Sequence, residues 1–438
     1  MDSDSDTHFS EDSEDSEETD NNEEVLFNAR LQRIRENNPA TTSLHAEGED
    51  TFIHNLSNEV WEQLGNDIAN NIYFKSLVLY SGALNDQKMK LLFRGLTRSN
   101  TIRDTQLFEN GFSVAGVRSM VPFLRNSNNL NYLDLDDNNI QSEGFNILFS
   151  ALRNKPIETL RCSRCSLESI EIDIDCFPKQ LTTLHLDGNN INTDGCRELA
   201  KLLERGESSL TALHLDNNNI NDDGVEILVD ALQNNTSLEV LYLRENDGIS
   251  VEGMKACLRL VNDISSINAT LQSNHTLRKL HVKDYDRKEV AQTHINIATL
   301  INERNQYNPE AAGKEKVIAS QLDSETRAEL AYLQGVNRSL YSEINPLHLP
   351  EVLALVGQHH GQELLYVALT SSIAGVISTV NRKECIQQRR AYHAAKLEEL
   401  DAELAAINES ERDVVGVESG ESRSSKRRRK WWWGLWDR

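Results

Sequence analysis

Cysteine is scarce in this chain: six in 438 residues, with no spacing that reads as a disulfide framework. That usage suits reduced thiols in an intracellular compartment, cytoplasmic or nuclear. Basic residues are outnumbered, 45 Lys and Arg against 69 Asp and Glu, for a formal net charge of −24. A surface so acidic disfavours DNA or RNA as the main ligand. The amino terminus has neither a basic n-region nor an apolar h-region, so nothing there reads as a secretory signal. Long apolar runs are missing too. Leu364 to Val380 goes 17 residues without a charge, but it holds Thr370, Ser371, Ser372, Ser378 and Thr379. A membrane span needs about 20 strongly apolar residues, so a buried helix fits better.

What is present is one sentence written twice, LTTLHLDGNNINTDGCRELAKLL from Leu181 and LTALHLDNNNINDDGVEILVDAL from Leu210. Each reads L-x-x-L-x-L-x-x-N-x-I and then a helical pattern. Side chains alternate faces along a strand, so Leu184 and Leu186 point inward while His185 and Asp187 point outward. Asn189 falls where the chain bends out of the strand. A buried bend leaves backbone groups without partners, and an inward amide both donates and accepts. Thr193 is the expected N-cap, Gly195 opens the helix, and Leu199, Leu202 and Leu203 share one face.

The same register extends in both directions, with strand starts at Phe74, Ile102, Leu130, Ile157, Leu181, Leu210, Leu238 and Leu277. The bend column reads Gly82, Asn110, Asn138, Cys165, Asn189, Asn218, Asn246. One such unit cannot close a core, so the copies must stack. The expected fold is an α/β solenoid, parallel strands inside and helices outside, curved like a horseshoe. Over Phe74 to Tyr285 the chain resembles the ribonuclease-inhibitor type of leucine-rich repeat protein. That resemblance implies a non-enzymatic protein-binding scaffold, the group being made mainly of such scaffolds, immune receptors and Ran GTPase activators among them. The runner-up it suggests is a GTPase-activating protein of the Ran type, although the acidic segment here precedes the repeats instead of following them. No nucleotide-binding domain precedes the repeats, which speaks against the immune-receptor layout.

Two units depart from the pattern. The Ile157 unit is 24 residues long and replaces its helix with an alternating stretch in which Ile170, Ile172 and Ile174 face Glu171, Asp173 and Asp175. Its outer side should be extended and acidic. The Leu238 unit has 11 extra residues around Asn262 to Ala269, close to three whole helical turns, and is expected to be one lengthened helix.

The outward positions give the candidate site. One column runs Val78, Gln106, Asp134, Arg161, His185, His214, Tyr242, His281, and the other Tyr80, Phe108, Asp136, Ser163, Asp187, Asp216, Arg244, Lys283. From these, Asp134, Asp136, Arg161, His185, Asp187, His214, Asp216, Tyr242 and Arg244 are the expected contacts for a protein partner. They are the solvent-facing positions least constrained by the core, and charge reversal at Asp187 and Asp216 together is expected to weaken association while leaving the fold intact. Strands lie about 4.8 Å apart, which sets His185 beside His214 and Asp187 beside Asp216. A divalent metal or acid/base pair is conceivable there, yet an open face excludes little water, so no metal, cofactor or catalytic residue is assigned. Cys162 and Cys165 make a CxxC, but they occupy an inward leucine position and the bend position, which is structural use.

The flanks divide as follows: residues 1–50 an acidic arm without packed structure, 51–73 an amino-terminal cap, 74–306 the repeats, 307–345 a helical linker region, 346–412 a second helical region, and 413–438 a basic, tryptophan-rich tail. Met1 to Glu24 has no Lys or Arg and cannot bury enough apolar surface to fold alone. Val25 to Arg35 reads as a short helix, Asn308 to Lys316 as a linker, and Arg382 to Arg412 as an amphipathic helix with a short coiled-coil-like stripe. The ending KRRRKWWWGLWDR combines an import-type basic cluster with rings suited to an anionic headgroup layer.

Overall fold

Leucine at every second position of short extended runs, followed by a one-face helical pattern, forces each unit to lay a strand against its neighbour's strand and a helix against its neighbour's helix. The computed structural model shows this. It describes residues 14–336, apart from 48–52, 54, 83, 174–176, 205–208, 284–289, 318 and 321–323. Nine strands form one sheet in chain order, every neighbouring pair parallel. They are β1 (Ser43–Glu47), β2 (Ser76–Tyr80), β3 (Asp104–Gln106), β4 (Tyr132–Asp134), β5 (Thr159–Arg161), β6 (Thr183–His185), β7 (Ala212–His214), β8 (Val240–Tyr242) and β9 (Lys279–His281). Helices pack about 8–10 Å apart and strands about 4.8 Å apart, so the helical side is wider and the sheet becomes the concave wall.

The array starts one repeat earlier than the sequence suggests. Helix α1 (Glu14–Arg35) precedes β1, burying Phe27 and Ile34, and both elements lie inside the segment read as an unpacked arm. Helix α2 (Asn58–Asn70), read as an end cover, is instead the outer helix of the β1 repeat and packs on α3 (Asp86–Leu96). There the two backbones touch: a Cβ on Gly65 would stand 2.2 Å from the Leu92 carbonyl oxygen, and one on Gly95 would stand 2.4 Å from the Gly65 carbonyl carbon. The end cover is α1, fastened by Arg35 Nε to Asp67 Oδ2 at 3.0 Å and by the Asn71 amide to the Ile34 carbonyl at 2.9 Å.

Further along come α4 (Val114–Asn126), α5 (Gln141–Ala151), α6 (Thr193–Glu204), α7 (Asp222–Leu232) and α8 (Val251–Val261). The cap of α6 is Asn192 and not Thr193; its Oδ1 accepts from the N–H groups of Asp194 and Gly195, while the Thr193 hydroxyl donates to Asn221. The bend asparagines behave as expected. Asn189 donates to the carbonyls of Cys162 and Leu186 at 2.9 and 3.0 Å and accepts from Cys165 N and Leu167 N at 2.9 and 3.1 Å. Asn138, Asn218 and Asn246 repeat the motif, and Gln292 supplies it after β9. Cys165 Sγ donates to the Leu135 carbonyl at 3.2 Å, and burial pushes this thiol up to about 12, so the CxxC is structural.

The Leu238 unit does not hold one long helix. Helix α8 stops at Val261, where Asn262 (φ −158°) leaves helical geometry, and a new short helix, α9 (Ile267–Gln272), begins under the Ser266 cap. Length in whole turns keeps a face in phase, but Ser265-Ser266 offers a cap that starts a second helix. The expected linker at 308–316 is also packed. After α10 (Val290–Arg304), helix α11 (Pro309–Val317) buries Ala312, Gly313, Lys316 and Val317. Helix α12 (Ser324–Gln334) follows and buries Leu330 and Ala331. No helix among the described residues is long and apolar enough to cross a membrane. The regions assigned to 346–412 and 413–438 lie outside the described residues, as do the first 13 residues of the arm.

Candidate functional site

Strand register places the first column as the sequence predicts: Asp134 opposite Arg161, Arg161 opposite His185, His185 opposite His214, His214 opposite Tyr242, and Tyr242 opposite His281. The rings form a run. His185 and His214 stack at 3.9 Å between centroids, His214 meets Tyr242 edge-on at 4.7 Å, and Tyr242 leans on His281 at 5.0 Å. Nearer the amino terminus, Tyr80 stacks on Phe108 at 4.7 Å and meets His45 at 5.3 Å. His45 and Glu47 belong to the face and were missed, because β1 was not read as a strand; Glu47 accepts from the Tyr80 hydroxyl at 2.7 Å.

The aspartates of the second column are not free surface groups. Strands end early, and the next backbone N–H is taken by a carboxylate from the preceding repeat. Asp136 Oδ1 accepts from Ser163 N at 2.6 Å, Asp187 Oδ1 from Asp216 N at 3.0 Å, and Asp216 Oδ1 from Arg244 N at 2.7 Å. Asp136, Asp187 and Asp216 thus each satisfy a backbone group of the next repeat, a duty that sets Asp187 and Asp216 apart from the unconstrained surface positions they were expected to be. Their other oxygens meet arginine. Arg161 Nε lies 3.0 Å from both Asp134 Oδ2 and Asp136 Oδ2, and Arg244 Nε lies 2.9 Å from Asp216 Oδ2.

Curvature makes this wall drier than a flat sheet would be. Asp134 and Asp136 are 6% and 4% exposed, and the side chains of His185 and Asp187 are 15% and 24% exposed. The protonation preferences follow. Burial, helped by the Asp136 charge, raises the Asp134 carboxyl, and burial with the Asp134 charge lifts the Tyr132 phenol to about 12. Burial also raises Asp216, outweighing its Arg244 hydrogen bonds. Asp187 goes the other way: burial opposes ionisation, but the His185 contact, the His214 ring and the Asp216 N–H together win. His214 is lowered to about 4 by burial and then by His185, so it is neutral at ordinary pH. One candidate donor atom from each of His185, Asp187 and His214 lies within 4.8 Å of the others.

A family model described as Leucine Rich repeat matches residues 126–144, 179–200, 207–229 and 234–256. The chain carries leucine-rich repeats. It is 27% identical over 150 residues to the human NACHT, LRR and PYD domains-containing protein 13, a match that takes in 33% of this chain and 14% of that one. Among solved structures it is similar to the leiomodin-1 actin-binding site 2 (12% identity, 64% of this chain and 94% of that one, TM-score 0.23) and to the tropomodulin C-terminal domain of Caenorhabditis elegans (10%, 64% and 95%, 0.17). The TLR13 chain in its ssRNA13 complex is 18% identical over 43% of this chain and 34% of that one, at a TM-score of 0.24. Likeness at these scores says nothing about what this chain binds. The repeats themselves indicate a protein-interaction scaffold.

Proposed function

We propose that the concave wall from β3 to β9 binds a protein partner. The observation that carries the proposal is the ring run His185, His214, Tyr242, His281, partly buried in the wall and bounded by arginine and aspartate already locked to the backbone. Aromatic residues and arginine dominate the energy of protein interfaces. Anchoring them in advance lowers the ordering cost of association. The wall is also polarised. Asp104, Asp134 and Asp136 lie toward one end, and Arg244, Lys279 and Lys283 toward the other. A partner with a basic segment over β3 and β4 and an acidic one over β8 and β9 matches that order.

The test is a photo-cross-linking amino acid placed at Tyr242 on the wall or at Glu226 on the outer helix α7, introduced into the full chain in its source cell. The expected result is a discrete protein adduct from position 242 that is absent from position 226. Tyr242→Ala should then weaken the captured complex by about 2 kcal/mol or more. Equal adducts from both positions would overturn the assignment.

A further inference from the structure

The triplet His-Leu-Asp occurs in two neighbouring repeats, as His185-Leu186-Asp187 and His214-Leu215-Asp216, and the structure uses the two copies differently. In the second copy both carboxylate oxygens are engaged, Oδ1 by the Arg244 N–H and Oδ2 by the Arg244 guanidinium. In the first, Asp187 gives Oδ1 to the Asp216 N–H and turns Oδ2 toward His185 Nδ1 at 3.7 Å, with the Ser163 hydroxyl at 3.4 Å. His214, from the next strand, stacks on His185. A separation of 3.7 Å is too long for a hydrogen bond. It is close to the roughly 3.3–3.6 Å between two donors on a tetrahedral ion whose bonds are about 2.0–2.2 Å.

We propose that His185, Asp187 and His214 bind a borderline divalent cation of the zinc, cobalt or nickel class, leaving a coordination position open on the concave side. Two imidazoles with one carboxylate are the donor set such ions prefer, whereas magnesium and calcium want more oxygen ligands. The surroundings favour added positive charge: Arg161 pairs with Asp134 and Asp136, and Arg244 with Asp216, while the ion-pair contact of Asp187 is His185. The carboxylate is held in place by the Asp216 N–H, the kind of support that orients a ligand before an ion arrives. Burial of the His185 and Asp187 side chains to 15% and 24% exposure removes the objection that an open sheet face would leave an ion to water.

The proposal is tested on the chelator-stripped full chain, titrated with Co²⁺ by visible absorption and with Zn²⁺ by calorimetry. It predicts one equivalent bound with a low-coordinate cobalt spectrum and no thiolate-to-cobalt band. His214→Gln and Asp187→Asn should each weaken that binding by at least about tenfold. Asn at 187 keeps an acceptor for the Asp216 N–H, so circular dichroism should be unchanged in that variant. Asp216→Asn, which removes a neighbouring charge but no ligand, should weaken binding much less than either ligand variant. The site is overturned by no binding, by a thiolate band, by affinity unchanged in both ligand variants, or by equal loss in Asp216→Asn, which would reflect surface charge alone.

Discussion

The Ile157 unit and the two regular units after it share a strand and a bend but not an outer layer. In the Leu181 and Leu210 units, α6 and α7 cover the outside and bury Leu199, Leu202, Leu203, Leu228 and Leu232. In the Ile157 unit, residues 167–173 hold no helix; Ile170 and Ile172 are buried while Glu171 and Asp173 are exposed, the alternation read from the sequence. Side chains of the neighbours supply what a helix would have supplied. Ser142 Oγ accepts from Glu168 N and Ser169 N at 2.9 and 3.0 Å, Asn146 Oδ1 from Glu171 N at 3.0 Å, and Glu198 Oε2 from Ile172 N at 3.3 Å. Both kinds of unit keep the ladder of backbone bonds to the next strand, although in the Ile157 unit Cys162 stands for an inner leucine and Cys165 for the bend asparagine. That ladder is what the array requires, and the helix is one way to cover it.

The contrast can be broken first at the core. Leu213→Ala in the regular region is expected to cost about 2–5 kcal/mol, because a cavity there is walled on all sides. Ile172→Ala should cost clearly less, since an extended outer segment can close over the gap. Equal losses in chemical denaturation would remove the distinction. A smaller effect is expected in the bend column. Asn189→Ala leaves the carbonyls of Cys162 and Leu186 and the N–H groups of Cys165 and Leu167 short of partners, at about 1–3 kcal/mol. Cys165→Ala removes only a weak thiol donor and should cost less, measured in the same way.

The least effect concerns acid. The carboxyl end, unlike the regular units, buries a lysine, whose amine is pushed well below its ordinary pKa by burial: Lys316 Nζ donates to the carbonyls of Val261 and Asn274 at 2.6 and 3.0 Å and sits 3.0 Å from His275 Nδ1. Burial, then the Lys316 charge, lowers His275 from 6.5 to about 4. The unfolded chain therefore binds more protons than the folded one between those values, and stability falls as pH drops from 6.5 toward 4. His275→Gln should lessen that slope in thermal melts, leaving the part that His214, also lowered to about 4, contributes. An unchanged slope would show that His275 is not responsible.

Much of this was legible in the sequence. Leucine spacing set the strand register to the residue, and with it the neighbours His185 and His214. The bend ladder was readable because one residue type recurs at one offset. A second ladder was not read. Asn71, Asn235 and Asn274, each three residues before a strand-opening Phe or Leu, donate to the preceding helix end and accept from the chain entering the strand. Strand β1 was illegible because SLHAE carries only Leu44 and Ala46 inward and lacks a bend asparagine. The duty of Asp136, Asp187 and Asp216 was hidden for a different reason. It depends on where each strand stops hydrogen bonding, which side-chain pattern does not report.

The account's central claim is that the ladder and not the helices holds the repeats together, and amide hydrogen exchange tests it most directly. Cys162 N and Arg164 N donate to the carbonyls of His185 and Asp187, as Leu186 N and Gly188 N donate to those of His214 and Asp216 in the regular unit. These four amides should be comparably slow, while Glu168, Ser169, Glu171 and Ile172 should exchange faster than Leu199 to Leu203 of α6. If Cys162 and Arg164 exchanged as fast as Glu168, the Ile157 unit would be loose throughout, and the claim would be contradicted.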